Sequence, residues 1–157
     1  MIFYTQYSSP VGLLTITSNG SALTGLWLET QRKELTGAVE ANDLPVLRSV
    51  QAWLDGYFQG KPPKITFPLS PSGTEFQHQV WDILLQIPYG KTCTYGEIAR
   101  QITHKMSAQA VGQAVGRNPI SIIIPCHRVI GKCGKLTGYA GGLDKKKWLL
   151  HHEEVLL

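Results

Sequence analysis

The sequence predicts an α/β protein of the α+β kind. A small N-terminal strand-and-helix domain precedes a mainly helical C-terminal domain of winged helix-turn-helix-like form. Three observations carry this reading. Asn19-Gly20, a hairpin turn signal, lies between two apolar runs. Pro68-Leu69-Ser70-Pro71-Ser72-Gly73 interrupts the chain near its middle as a connector. Beyond it, short helical segments with capping signals follow one another closely.

In chain order, Leu13 to Ser18 and Ala22 to Leu28 are the strands of the hairpin, and a further strand is expected before Pro10. Val46, Val50, Trp53, Leu54 and Tyr57 recur at helical spacing, and Gly60-Lys61-Pro62-Pro63-Lys64 breaks that helix. The connector sets the expected domains at 1–73 and 74–157. Thr74 with Gln77 three residues on fits a capping box; Phe76, Val80, Ile83, Leu84 and Ile87 form one apolar face, and Pro88-Tyr89-Gly90 ends the helix. Thr94 with Glu97 opens a second, short helix. After a break at Thr103 to Lys105, residues 107–116 put Ala108, Val111, Ala114 and Val115 on the core side and Gln109 and Gln113 on another face. Two short helices with a tight break suit a helix-turn-helix, whose second helix meets DNA. The competing reading is an ordinary αα-hairpin inside an enzyme, and the small residues, which let a partner's backbone approach, favour the first.

Asn118-Pro119 suits a helix exit. Ser121-Ile122-Ile123-Ile124 is an apolar, β-branched run expected to form a buried strand that Pro125 terminates. Glycines at 131, 134, 138, 141 and 142 predict a close-fitting loop. Lys145-Lys146-Lys147-Trp148-Leu149-Leu150 begins a final helix with the lysines on a solvated face and Glu153-Glu154 in its last part.

The chain has 157 residues, enough for one ordinary domain or two small ones, and 43% of them are apolar. No apolar run is long enough to span a membrane, and the start, Met1-Ile2-Phe3-Tyr4-Thr5-Gln6, lacks the pattern of a signal peptide, so a cytoplasmic protein is expected. Three cysteines without a CxxC and five scattered histidines argue against a disulfide framework and a metal finger. The net charge of +4 arises wholly in residues 74–157, with 10 basic and 6 acidic side chains against 5 and 5 before them. An anionic partner would therefore meet the C-terminal part.

The most informative residues are Pro125-Cys126-His127-Arg128-Val129. A thiolate is the reactive form of cysteine, and a nearby base raises its population. Adjacent side chains on an extended strand point to opposite faces, which opposes direct Cys-His pairing unless the chain turns at Pro125.

Taken with Asn118-Pro119, Thr94-Tyr95-Gly96-Glu97-Ile98-Ala99, Thr137-Gly138-Tyr139-Ala140-Gly141-Gly142 and Lys147-Trp148-Leu149-Leu150-His151-His152-Glu153, the cysteine motif resembles the O6-alkylguanine-DNA alkyltransferases. The resemblance is close over 74–157; before that it rests on length and a strand-then-helix pattern. It implies a single-use transfer with no cofactor and no metal: Cys126 takes the alkyl group of a flipped guanine, or of O4-alkylthymine, as a thioether. It gives His127 the thiol proton through a water, Glu153 the orientation of the imidazole, Tyr95 a hydrogen bond to the departing base and Asn118 the tie between helix pair and active-site strand. It places DNA or base contacts at Tyr95, Gly96, Ala108, Gln109, Lys132, Tyr139, Ala140 and Gly141. Gln109 stands where the family usually carries an intercalating arginine, which implies weaker binding or slower flipping.

The implied partner is double-stranded DNA with alkylated bases, bound through the minor groove, with no membrane. No dimerisation signal is present, so a monomer is expected without DNA. The alternatives are a non-enzymatic lesion binder, which would lack the nucleophile; a Cys-His hydrolase, for which no nucleophile elbow is present; and a helix-turn-helix transcription factor, which would need a specific site and a dimer.

Overall fold

The computed structural model describes residues 1–31 and 35–155. The chain has an α+β fold and divides into two compact units, Met1–Ser72 and Gly73–Leu157.

The first unit is a four-stranded sheet with one long helix. β1 (Phe3–Ser9) and β2 (Gly12–Ser18) pair antiparallel, β2 pairs antiparallel with β3 (Leu23–Trp27), and the short β4 (Val39–Glu40) lies parallel to β1, giving the order β3-β2-β1-β4. The Asn19-Gly20 signal makes the β2–β3 turn: the Asn19 side chain accepts from Ser21 N and Ala22 N at 3.0 and 2.9 Å, and Gly20 has φ +109°. α1 (Pro45–Phe58) starts with Pro45 in its first turn, where the missing N–H costs nothing. Its Leu47, Val50, Leu54 and Tyr57 lose all exposure, as do Leu14, Ile16, Leu23 and Leu26 of the sheet. Each such side chain contributes roughly 1.5–3 kcal/mol by leaving water. The connector is more than a linker: Leu23 N donates to Pro68 O and Ser70 N to Leu23 O, at 2.9 and 2.8 Å, fastening it to the edge of β3.

The second unit is mainly helical. In α2 (Glu75–Leu84) and α3 (Tyr95–Ile102) both predicted capping boxes form, with Thr74 and Thr94 accepting from Gln77 N and Glu97 N at 3.1 Å. α4 (Ala108–Gly116) is capped by Ser107, whose hydroxyl accepts from Ala110 N at 3.0 Å. Val111, Ala114 and Val115 are buried, and Trp81 Nε1 of α2 donates to Ala114 O at 2.9 Å. α3 and α4, joined through residues 103–107, are the helix-turn-helix pair. β5 (Cys93–Thr94) and β6 (Val129–Ile130) make a two-residue parallel ladder. α5 (Leu143–His152) ends the unit.

Three expectations are corrected. Residues 121–124 are buried but form turns, not a strand. Ala108 is exposed, because it opens α4 before the helix meets its neighbours. Lys146 is not on a solvated face: it is fully buried, with Leu149, Leu150 and Glu153, on the inner side of α5 and its C-cap. No helix among the described residues is long and apolar enough to cross a membrane.

Candidate active site

A pair of three-residue turns presents the Cys126 thiol. Ile123 N donates to Ser121 O at 2.8 Å across Ile122, whose φ is +70°, the rare and strained form of γ-turn. Cys126 N then donates to Ile124 O at 2.7 Å across Pro125 (φ −81°, ψ 66°), the relaxed form. A left-handed β-branched residue costs about 1–3 kcal/mol, and burying the Ile122 side chain, 1% exposed, offsets this by about 1.5–3 kcal/mol. Asn118 serves the backbone that a strand ladder would otherwise satisfy. Its Oδ1 accepts from Ile120 N at 3.0 Å, and its Nδ2 donates to Ile120 O and Ile124 O at 3.2 and 2.8 Å.

Cys126, His127 and Arg128 form one 3₁₀ turn. Successive side chains there are about 120° apart rather than opposed, so the strand-alternation objection falls away. His127 Nε2 lies 2.6 Å from Glu153 Oε2, with both side chains fully buried. Arg128 grips the same carboxylate through Nε to Oε1 at 2.7 Å and Nη2 to Oε2 at 3.3 Å, and its Nη1 reaches Ile87 O at 2.7 Å. Gly90 N donates to Glu153 Oε1 at 3.1 Å.

The electrostatics follow from these contacts. Burial acts to raise the Glu153 carboxyl, but the bonds from His127 and Arg128 outweigh it and hold it down at about 2. Burial pushes His127 below the ordinary imidazole value, against the pull of Glu153 and with the help of the Arg128 and Lys146 charges. A neutral ring beside an anion places its proton on Nε2 and leaves the Nδ1 lone pair free to accept. Nδ1 is buried and makes no hydrogen bond to another described residue. Burial raises the Cys126 thiol, while Asn118, the Lys146 charge and the Tyr139 hydroxyl act to lower it.

On the opposite side, the buried Tyr139 hydroxyl faces Cys126 and Ser121, and burial followed by the Cys126 charge keeps it protonated far above the ordinary phenol value. Tyr95, the first residue of α3, accepts from Thr137 Oγ1 at 3.0 Å, and its ring stands against Gly112 of α4, where an added Cβ would sit 3.7 Å away. Lys146 Nζ donates to Val129 O at 2.6 Å and Thr137 O at 3.3 Å.

Cys126, His127, Glu153, Asn118 and Tyr139 thus form one cluster, and Tyr95 is linked towards it through Thr137 and Lys146. Gly96 is half-buried at the start of α3, and Gly141 is buried in the loop leading to α5. Ala108, Gln109, Lys132 and Ala140 are exposed and take no part in the cluster. Sequence reasoning assigned no role to Arg128, Thr137 or Lys146. A signal for the last was available: positions 146, 149, 150 and 153 follow the i, i+3, i+4, i+7 pattern of a buried helical face, with a charge at each end.

Such a site, a buried thiol next to a buried imidazole in a unit that carries a helix-turn-helix pair, has the residues of a cysteine-based chemistry on a nucleic-acid-binding fold. Residues 75–155 match the family described as 6-O-methylguanine DNA methyltransferase, DNA binding domain, and residues 2–71 match its ribonuclease-like domain. The chain belongs to the 6-O-methylguanine DNA methyltransferase family. It is 44% identical over 156 residues to the methylated-DNA–protein-cysteine methyltransferase of Haemophilus influenzae, covering 98% of this chain and 87% of that protein. It is 46% identical over 154 residues to the protein of the same name in Mycobacterium bovis, covering 98% and 93%. A crystal structure of Mycobacterium tuberculosis OGT in complex with DNA superposes with a TM-score of 0.88 at 45% identity, covering 97% of this chain and 92% of that one.

Proposed function

We propose direct-reversal DNA repair as the function of this protein, which acts as a methylated-DNA–protein-cysteine methyltransferase. The observation that carries the reading is the buried Cys126 beside a neutral His127 that Glu153 and Arg128 hold in place. In the proposed reaction the thiol proton passes through a water to His127 Nδ1, and Glu153 stabilises the imidazolium that results. The Cys126 thiolate attacks the alkyl carbon on guanine O6 in line with the C–O bond. A carbon–sulfur bond forms, the carbon–oxygen bond breaks, and its electron pair returns to the base, which takes up the proton that the thiol gave to His127 and leaves as unmodified guanine. Tyr95 donates its hydroxyl to the departing base. The thioether has no easy hydrolytic exit, so each molecule acts once.

The alkyl group of a stacked base lies outside the reach of a buried sulfur, so the nucleotide must be extruded at a cost of a few kcal/mol. We assign Tyr139, Ala140 and Gly141 to the base pocket, and Gly96, Ala108, Gln109 and Lys132 to the DNA-facing surface. The substrate is double-stranded DNA carrying O6-alkylguanine, met by a monomer in the cytoplasm, where thiols stay reduced.

Incubation with a duplex containing O6-methylguanine, followed by intact-protein mass measurement, tests the reading. One methyl on Cys126 per protein molecule, reached at equimolar lesion, is expected. Tight binding without an adduct would make the protein a lesion binder instead. Repair in large excess over protein would exclude the suicide mechanism.

A further inference from the structure

Lys146 is fully buried, yet no carboxylate lies within ion-pair distance of it among the described residues. Among the described residues its ammonium has two hydrogen-bond partners, both carbonyl oxygens: Val129 O, three residues beyond Cys126, and Thr137 O, in the loop that carries Tyr139. Burying a cation without an anion is costly, and two carbonyl bonds recover only part of the lost hydration. The anion that would complete this arrangement exists only when Cys126 ionises. Thr137 extends the reach of Lys146, since its hydroxyl donates to Tyr95 at the head of α3.

We propose that Lys146 is a positioning residue for alkyl transfer: its ammonium fastens the backbone behind Cys126 to the Thr137 end of the pocket loop and stabilises the thiolate by its charge. This rests on the reading of Cys126 as the nucleophile. The titratable and charged groups around the junction are Cys126, His127 and Arg128 on the 3₁₀ turn, Tyr139 on the loop, Tyr95 at the start of α3 and Glu153 at the C-cap of α5. Burial draws Lys146 down to about 8, and the Cys126 charge acts to raise it, so each ionisation favours the other. Transfer converts the sulfur into a neutral thioether, and Lys146 then loses the charge that balanced it.

Lys146→Met keeps the length of the side chain and removes its charge, and Lys146→Arg keeps a charge. The first readout is the pH dependence of Cys126 alkylation by iodoacetamide without DNA, quantified by peptide mass. Lys146→Met should move the midpoint upward by about one pH unit, a roughly tenfold loss of thiolate below the midpoint. The second is the single-turnover rate on an O6-methylguanine duplex, which should fall by about tenfold near neutrality and recover as pH rises, with Lys146→Arg between the two. An unchanged midpoint with a pH-independent loss of rate would reduce Lys146 to a structural tie and overturn the proposal.

Should Lys146→Met not fold, the titration of Lys146 in the otherwise unaltered chain, followed by NMR of 13C-labelled lysine, decides the matter. Its midpoint should drop when Cys126 is replaced by serine, and an unmoved midpoint overturns the coupling. Iodoacetamide needs no lesion, so a chain that failed to repair DNA would sink the functional reading while leaving this test intact.

Discussion

At the scale of single residues, Glu153 has the most to do. One carboxylate orients His127, neutralises Arg128 and accepts from Gly90 N. Glu153→Gln keeps the shape and removes the charge. By removing the anion that stabilises the His127 imidazolium, it should slow alkyl transfer by up to about 10²–10⁴-fold, the usual range for base catalysis, in single-turnover kinetics. It should also change acid stability. The folded-state value of about 2 lies below the ordinary 4.5, so the stabilisation is complete above pH 4.5 and is lost as pH falls from there towards 2. Urea unfolding across that window should show a steep loss in the parent and a flatter profile in Glu153→Gln. Cys126→Ser should retain affinity for lesion-bearing duplex and take up no methyl, whereas Cys93→Ser and Cys133→Ser should still be methylated; a dead Cys133→Ser would mean that the nucleophile has been misassigned.

Cys126, His127 and Asn118 were legible because a thiol, a base and a turn-forming amide fall within ten residues. Arg128 and Lys146 were not, since a charged residue in sequence reads as solvated until a fold brings carbonyls and a carboxylate around it.

At the scale of elements, the helices were legible and the nucleophile's own segment was not. Thr74 and Thr94 with their partners three residues on mark helix starts by a local mechanism that needs no tertiary context. Residues 121–124 carry the composition of a buried strand, but composition reports burial, not hydrogen bonding. Nothing in three successive isoleucines reveals that Asn118 will bond the backbone at Ile120 and Ile124, on either side of Ile122 and Ile123, and that the chain will double back twice. α4 offers the sharpest test at this scale. Gln109 is exposed in its first turn, on the surface proposed to face DNA. Gln109→Arg should tighten binding to duplex DNA by about 1 kcal/mol through stacking and charge, and should raise the single-turnover rate with it. Equal affinity and equal rate, by fluorescence anisotropy and quench kinetics, would show that the glutamine costs nothing.

Across the whole molecule, the charge is divided as the chemistry is. Residues 1–73 are electrically balanced, and the +4 belongs to the part that carries the thiol and the helix pair. Binding should therefore weaken steeply with salt and vary little with sequence. A plot of log K against log salt should fall with a slope of about −0.9 for each phosphate neutralised, and a flat plot would remove DNA-backbone contact from the picture. The prolines of residues 68–73 mark a connector in the sequence, but the hydrogen bonds that fasten residues 68–70 to β3 were not legible, because an edge strand's carbonyls and amides advertise nothing in sequence.

The contorted backbone before Cys126 has one more consequence. Every residue from 118 to 129 is buried, and a left-handed isoleucine holds its shape only where its surroundings leave no alternative. That wall has no slack in which to lodge an added carbon. Facing it, residues 132–140 are half-covered or open. On the proposed reaction, the bulk of a captured group would be absorbed on the outer side, so a spent molecule should differ from a fresh one at residues 132–140.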